Sequence, residues 1–119
     1  MNQSEQIELA RAYVALSNAH RVELISTLFA DSIRYDSFNV GSFEGKDAVA
    51  EMMTKFYSRY PDVRWDIVDY QTIEKGLVGF EFIMTGTEAS NGRNIEVVGL
   101  EQITFTEDGL ISGITVKAQ

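Results

Sequence analysis

Between residues 63 and 117 the chain carries four segments of β character, at 63–73, 77–89, 94–106 and 110–117, joined by only three tight turns. Lys75-Gly76 closes the first pair and Glu107-Asp108-Gly109 the third; Asn91-Gly92, between them, is the strongest signal because both residues tolerate positive φ. Turns this short join neighbours in sequence, so the second half of the chain reads as an antiparallel meander. The segments exceed the usual five or six residues of a strand. Long, strongly twisted strands curl, and a curled sheet has a concave face that must be covered.

The cover lies upstream. Leu9, Ala12, Tyr13 and Leu16 recur at helical spacing within residues 4–18, with Ser4 as the expected N-cap and Glu5 and Glu8 in the first turns, where the helix dipole favours negative charge. After a break at Ala19 and His20, the residues Val22, Leu24, Ile25, Leu28 and Phe29 continue a second helical pattern that Ala30-Asp31-Ser32 closes. The period then falls to two, with Ile33 and Tyr35 on one face and Arg34 and Asp36 on the other, before a turn at Asn39-Val40-Gly41-Ser42. A third helix spans 46–59 on the stripe Val49, Met52, Met53 and Phe56, and Tyr60-Pro61 ends it. The expected architecture is one α+β domain over residues 1–119, with three N-terminal helices packed on a strongly curved antiparallel sheet and an internal pocket between them.

Charge removes several classes of function. At a net charge of −8 the mean field repels phosphate backbones and anionic membranes, and the ten Lys and Arg residues never cluster, so no nucleic-acid partner is expected. No apolar run approaches a membrane span. The polar start Met1-Asn2-Gln3-Ser4 has no signal-peptide character, which makes the cytoplasm the default location. Without cysteine, and with His20 as the only histidine, thiolate sites, histidine-rich metal sites and a serine-histidine-acid triad all lack their ligands or bases. Gly41, Gly45 and Gly76 do not form a phosphate loop or a dinucleotide fingerprint, so no cofactor and no metal are expected.

Carboxylate and phenol chemistry remains. Glu101 falls in mid-strand, on the face that also carries Val97, Gly99, Ile103 and Phe105, where a carboxylate must be partnered or functional. Asp36 ends the first strand, in the part of the chain that passes between helices and sheet. Tyr13 lies on the apolar stripe of the first helix, either as packing or with its hydroxyl turned to a polar partner. Trp65, Phe56, Phe80, Phe82, Met84, Gly99 and Ile103 are the expected walls of an apolar pocket for a small apolar molecule. The opposite face of the same strand presents Val98 and Leu100, a surplus of apolar surface that predicts a homodimer through the convex side of the sheet.

The order of elements, together with Phe29-Ala30-Asp31 and the segment Gly45-Lys46-Asp47-Ala48-Val49, resembles the nuclear-transport-factor-2-like superfamily, and within it the ketosteroid isomerase and SnoaL-like polyketide cyclase branch. The resemblance covers the whole chain and implies a cone-shaped, cystatin-like α+β barrel. It also implies an enzyme that abstracts a proton α to a carbonyl and stabilises the enolate. By that resemblance Tyr13 and Glu101 are oxyanion donors and Asp36 is the general base, the count from Phe29 placing the base one residue on, at Ser37. Two departures from the isomerase pattern stand out: Glu101 replaces an aspartate, and Ser37 replaces a proline. Beside the enzyme, a non-catalytic binding or dimerisation module of the same fold is the other function open to these residues.

Overall fold

In the computed structural model, which describes residues Met1–Gln119, the chain runs through α1 (Gln3–Asn18), α2 (Val22–Ser26), β1 (Phe29–Ser37), β2 (Gly41–Glu44), α3 (Lys46–Arg59), β3 (Arg64–Glu74), β4 (Leu77–Thr87), β5 (Asn94–Phe105) and β6 (Ile111–Ala118). The strands form one six-stranded sheet in the order β2-β1-β6-β5-β4-β3. The meander β3 to β6 is antiparallel throughout. Gly76, Gly92 and Gly109 all adopt positive φ at its turns, as the turn chemistry requires. β1 then adds to β6 in parallel, so the sheet is mixed rather than purely antiparallel.

Several boundaries differ from the pattern in the sequence. The N-cap is Asn2, not Ser4: Asn2 Oδ1 accepts from the Glu5 amide at 2.9 Å and Glu5 Oε1 accepts from the Asn2 amide at 3.2 Å, a reciprocal capping box. The buried stripe of α1 is Gln6, Ala10, Tyr13, Val14 and Ser17, so Ala12 faces solvent and Leu9 and Leu16 only flank the core. The stripe contains two polar residues, which hid it. The second helix stops at Ser26, and Phe29 opens β1 instead of closing the helix, because its neighbour Leu28 accepts a hydrogen bond from the Ile111 amide at the start of the parallel pair. Gly41–Glu44, expected as part of a turn, is a short edge strand.

Helix α1 lies along the outer edge of β3 and covers its unpaired backbone. Asn18 bonds Trp65 twice, donating to its carbonyl at 3.0 Å and accepting from its amide at 2.7 Å. Gln6, buried, does the same at the other end, accepting from the Gly76 amide at 2.9 Å and donating to the Glu74 carbonyl at 3.3 Å. Between them the Arg11 guanidinium sits 4.7 Å from the centre of the Tyr70 ring. An edge covered in this way cannot pair with another chain.

The inner face of the sheet alternates as a one-faced strand should: Val78, Phe80, Phe82 and Met84 on β4, Glu101, Ile103 and Phe105 on β5, Ile114 and Val116 on β6, all buried. Fully burying each aliphatic or aromatic chain contributes about 1.5–3 kcal/mol against the ordering entropy of the chain. In β3 the alternation breaks at Val68 and Asp69, where the register against β4 shifts and Asp69 takes φ 59°. This bulge turns Tyr70 inward and Ile73 outward, although Ile73 shares the parity of Trp65 and Ile67. Bulges of this kind bend a strand and increase its local twist.

Candidate functional site

The concave face of the sheet, α1 and α3 enclose a cavity whose walls are almost entirely apolar. Helix α3 contributes Met52, Met53, Phe56 and Tyr57; α1 contributes Tyr13, Val14 and Ser17; the sheet contributes Tyr35, Trp65, Ile67, Phe80, Phe82, Met84, Glu101 and Val116. Phe56 and Trp65 stack at 6.1 Å between ring centres, with an interplanar angle of 28°, and form one flat wall.

Glu101 sits at mid-strand because β5 runs straight through the cavity floor, paired with Phe80 of β4 on one side and Val116 of β6 on the other. It is 6% exposed, and burial in this apolar setting pushes its carboxyl from 4.5 up to about 8. The group is therefore mostly protonated at neutral pH, able to donate a hydrogen bond, yet close enough to neutrality to give up its proton.

Three phenols surround it. Tyr13, Tyr35 and Tyr57 all line the cavity, and each is held above its ordinary value by burial first and then, for Tyr13 and Tyr35, by the field of Glu101; Tyr57 reaches about 12. The Tyr57 hydroxyl is tied to the backbone, donating to the Ser17 carbonyl at 2.9 Å, and its ring is stacked on His20 at 4.2 Å. His20, at φ 58° past the end of α1, is held in turn by a 2.8 Å hydrogen bond between Nε2 and the Val63 carbonyl. It thus packs Tyr57 against the start of β3. Tyr13 and Tyr35 have no such tie to the backbone; their side-chain partners are the Ser17 and Ser37 hydroxyls, groups that can exchange for a ligand oxygen.

The structure thus brings Tyr13 and Glu101 together, with Trp65, Phe56, Phe80, Phe82 and Met84 as walls. It does not bring Asp36. Strand β1 alternates, and Tyr35 takes the inward position, so Asp36 turns to solvent and bonds Arg34 Nε at 2.9 Å. The Ser42 hydroxyl across the hairpin and the Arg34 guanidinium hold its carboxyl below the usual range. Ser37 shares the parity of Tyr35, but its hydroxyl is bonded to Asn39 Oδ1 at 2.5 Å. Gly99 and Ile103 also lie outside the walls. The Phe82 ring occupies the space over Gly99, within 2.8 Å of where a Cβ would stand, and Ile103 is buried between Val78 and Ile114 beneath the cavity. Tyr35 and Tyr57 were missed by the sequence pattern; the two-residue period of β1, which placed Tyr35 with buried Ile33, was the available signal for the first.

No group of three or more His, Asp or Glu side chains comes together to hold a metal ion, and no helix is long and apolar enough to cross a membrane.

Helices packed on a curved six-stranded sheet, with an apolar cavity that holds one buried acid and several phenols between them, define a fold of the cystatin-like α+β class. Residues 10–114 match the SnoaL-like domain, and the chain belongs to that family. No curated protein matches the sequence. Among solved structures, the epoxide hydrolase/cyclase-like enzyme SalBIII, described for pyran ring formation in the polyether salinomycin, superposes with a TM-score of 0.86 at 16% identity, over 96% of this chain and 90% of that one. A putative polyketide cyclase from Xanthomonas campestris pv. campestris gives 0.83 at 18% identity, over 100% and 93%. A Mycobacterium tuberculosis protein in complex with estradiol-17β-hemisuccinate gives 0.83 at 14% identity, over 97% and 93%. At these identities the likeness establishes the fold.

Proposed function

We propose that the protein is a SnoaL-like enzyme that binds a small, apolar carbonyl compound in this cavity and moves a proton α to the carbonyl. The observation that carries the reading is that Glu101 is the only carboxyl among the cavity walls, buried among aromatic and aliphatic side chains. In its ionised form Glu101 takes the proton from carbon, and the developing enolate oxygen accepts hydrogen bonds from the Tyr13 and Tyr35 hydroxyls, whose raised pKa keeps them protonated. Return of the proton to a different carbon gives isomerisation; attack of the enolate carbon on a second carbonyl gives an aldol-type ring closure. The base is thereby reassigned from Asp36, which faces solvent, to Glu101. Support also comes from the cyclase described for two of the structural neighbours.

With unconjugated enones followed in the ultraviolet, kcat/KM is expected to rise about tenfold per pH unit below about 8 and to level above it. Glu101→Gln should lose activity by at least two orders of magnitude, the usual span of general acid–base catalysis, while Asp36→Asn should retain it. Turnover that survives Glu101→Gln would overturn the assignment.

A second reading, a carrier that binds without turnover, is favoured by the single carboxyl in the cavity and by the steroid ester held by the Mycobacterium tuberculosis neighbour. Stoichiometric binding of enones with no spectral change on incubation would select it.

We also propose that two copies associate through the convex face, where Val68, Ile73, Ile83, Val98 and Leu100 are exposed. Across the strands one row reads Val68, Glu81, Leu100, Lys117. A twofold axis at Leu100 sets Glu81 of one copy against Lys117 of the other, so the row is self-complementary. Sedimentation should give a dimer for the wild type and a monomer for Val98→Asp/Leu100→Asp; a monomeric wild type at tens of micromolar would refute the interface.

A further inference from the structure

We propose that the surface groove between α3 and β2 holds the anionic end of an elongated substrate, whose neutral carbonyl end lies inside the cavity against Glu101. This rests on the cavity being the ligand site, as proposed above. Three observations lead to it. First, the cavity volume is about 50 Å³, room for about three to five waters and less than a ring system requires. The site must grow toward one of its walls. Secondly, Val40, Met52 and Phe56 line both the cavity and the outer groove, so one layer of side chains separates the two spaces. Val40 is carried by the turn between β1 and β2, the part of that layer outside any helix or strand. Displacing it joins the spaces and adds a groove of about 400 Å³.

Thirdly, the groove carries Lys55 and Arg59, one helical turn apart on α3, against the single acid Glu51. In a chain of net charge −8 these are the two cations that the groove presents outside the shared wall, each held by one carboxylate. Lys55 Nζ lies 3.0 Å from Glu51 and Arg59 lies 3.3 Å from Glu88, both with exposed cations, and such pairs are weak enough to be exchanged for a ligand carboxylate or phosphate. The Arg59 guanidinium is braced 5.1 Å from the centre of the Tyr60 ring, which keeps it at the rim. The chemical class that fits is an amphipathic molecule, neutral and carbonyl-bearing at one end and anionic at the other.

Trp65 is the only tryptophan and stands in the cavity wall, so its fluorescence reports occupancy directly. The probes are 6-[(6-acetylnaphthalen-2-yl)oxy]hexanoate and its methyl ester. The acid is expected to bind about five- to tenfold more tightly than the ester at low salt, as two exposed ion pairs allow. The preference should shrink as salt is raised and vanish in Lys55→Gln/Arg59→Gln, with ester affinity unchanged. Val40→Ala, which trims the shared wall, should speed ester association severalfold. Equal affinities in the wild type, a preference that persists in the double variant, or an unchanged association rate would overturn the proposal while leaving the cavity as a ligand site. Failure of both compounds to quench Trp65 would remove the cavity reading and this proposal together.

Discussion

Unfolding free energy is expected to fall by about 1.4 kcal/mol for each pH unit between about 4.5 and 8, and Glu101→Gln is expected to abolish that slope. The folded-state pKa of Glu101 lies above its unfolded value, so between those limits the native protein holds a proton that the unfolded chain has released. Stability is therefore greatest below about 4.5 on this account and is lost as pH rises through about 8, a total of about 5 kcal/mol. Asp36 and Asp62, whose carboxyls are held low by hydrogen bonds, act in the opposite sense at the acid end, where their contribution is lost as pH falls. Glu101→Gln should thus be the more stable protein at pH 8 and the less active one. Urea titrations at half-unit intervals from pH 5 to 9 measure it; parallel curves for the two proteins would show that Glu101 ionises as freely in the fold as outside it. A buried carboxyl that costs stability in its ionised form, in a cavity, is a candidate functional acid.

The second large effect falls on Gly99. A Cβ there would stand 2.7 Å from the Lys117 carbonyl oxygen and 2.8 Å from Phe82 Cζ. The first is backbone of β6, held by the β5–β6 ladder, and cannot turn aside. The second can move only into the cavity, since Phe82 is 2% exposed and packed from every other side. Gly99→Ala is therefore expected to destabilise by about 2–3 kcal/mol, as overpacking does, and to weaken ligand binding by driving the Phe82 ring into the site. Gly113→Ala is the control: the same atom added there meets nothing closer than 3.6 Å, in the Thr104 side chain. Thermal denaturation of the two variants separates steric from conformational cost, and equal shifts in Tm would refute the packing argument.

These two residues also mark how far residue pattern reached. Glu101 was visible because a carboxylate at an inward position of a strand conflicts with its surroundings, and that conflict is local. The parity of β5, set by Val97, Ile103 and Phe105, was enough to aim it. Gly99 has the same parity, and its exclusion from the walls came from the neighbouring strand, whose Phe82 ring covers it. Asp36 shows the limit most directly. The family count placed it at the base position, but the alternation of β1 gives the inward side to Tyr35, and Arg34 is there to hold Asp36 outside.

The four long segments and their turns determined the meander by themselves, because two-residue periodicity and positive-φ turn residues are properties of a few adjacent amino acids. The same holds for α3, whose stripe and proline stop lie within one short stretch. What only the tertiary structure decided was everything set by contact between distant segments. The parallel docking of β1 on β6 needs residues about eighty positions apart to meet. The bulge at Asp69 reversed the facing of Ile73, and the polar stripe of α1 makes sense only once Gln6 is seen bonding the backbone at Glu74 and Gly76. The curled sheet read first from the turns is thus real, but its cavity, with Glu101 among Tyr13, Tyr35 and Tyr57, exists because helices and strands remote in sequence close around it.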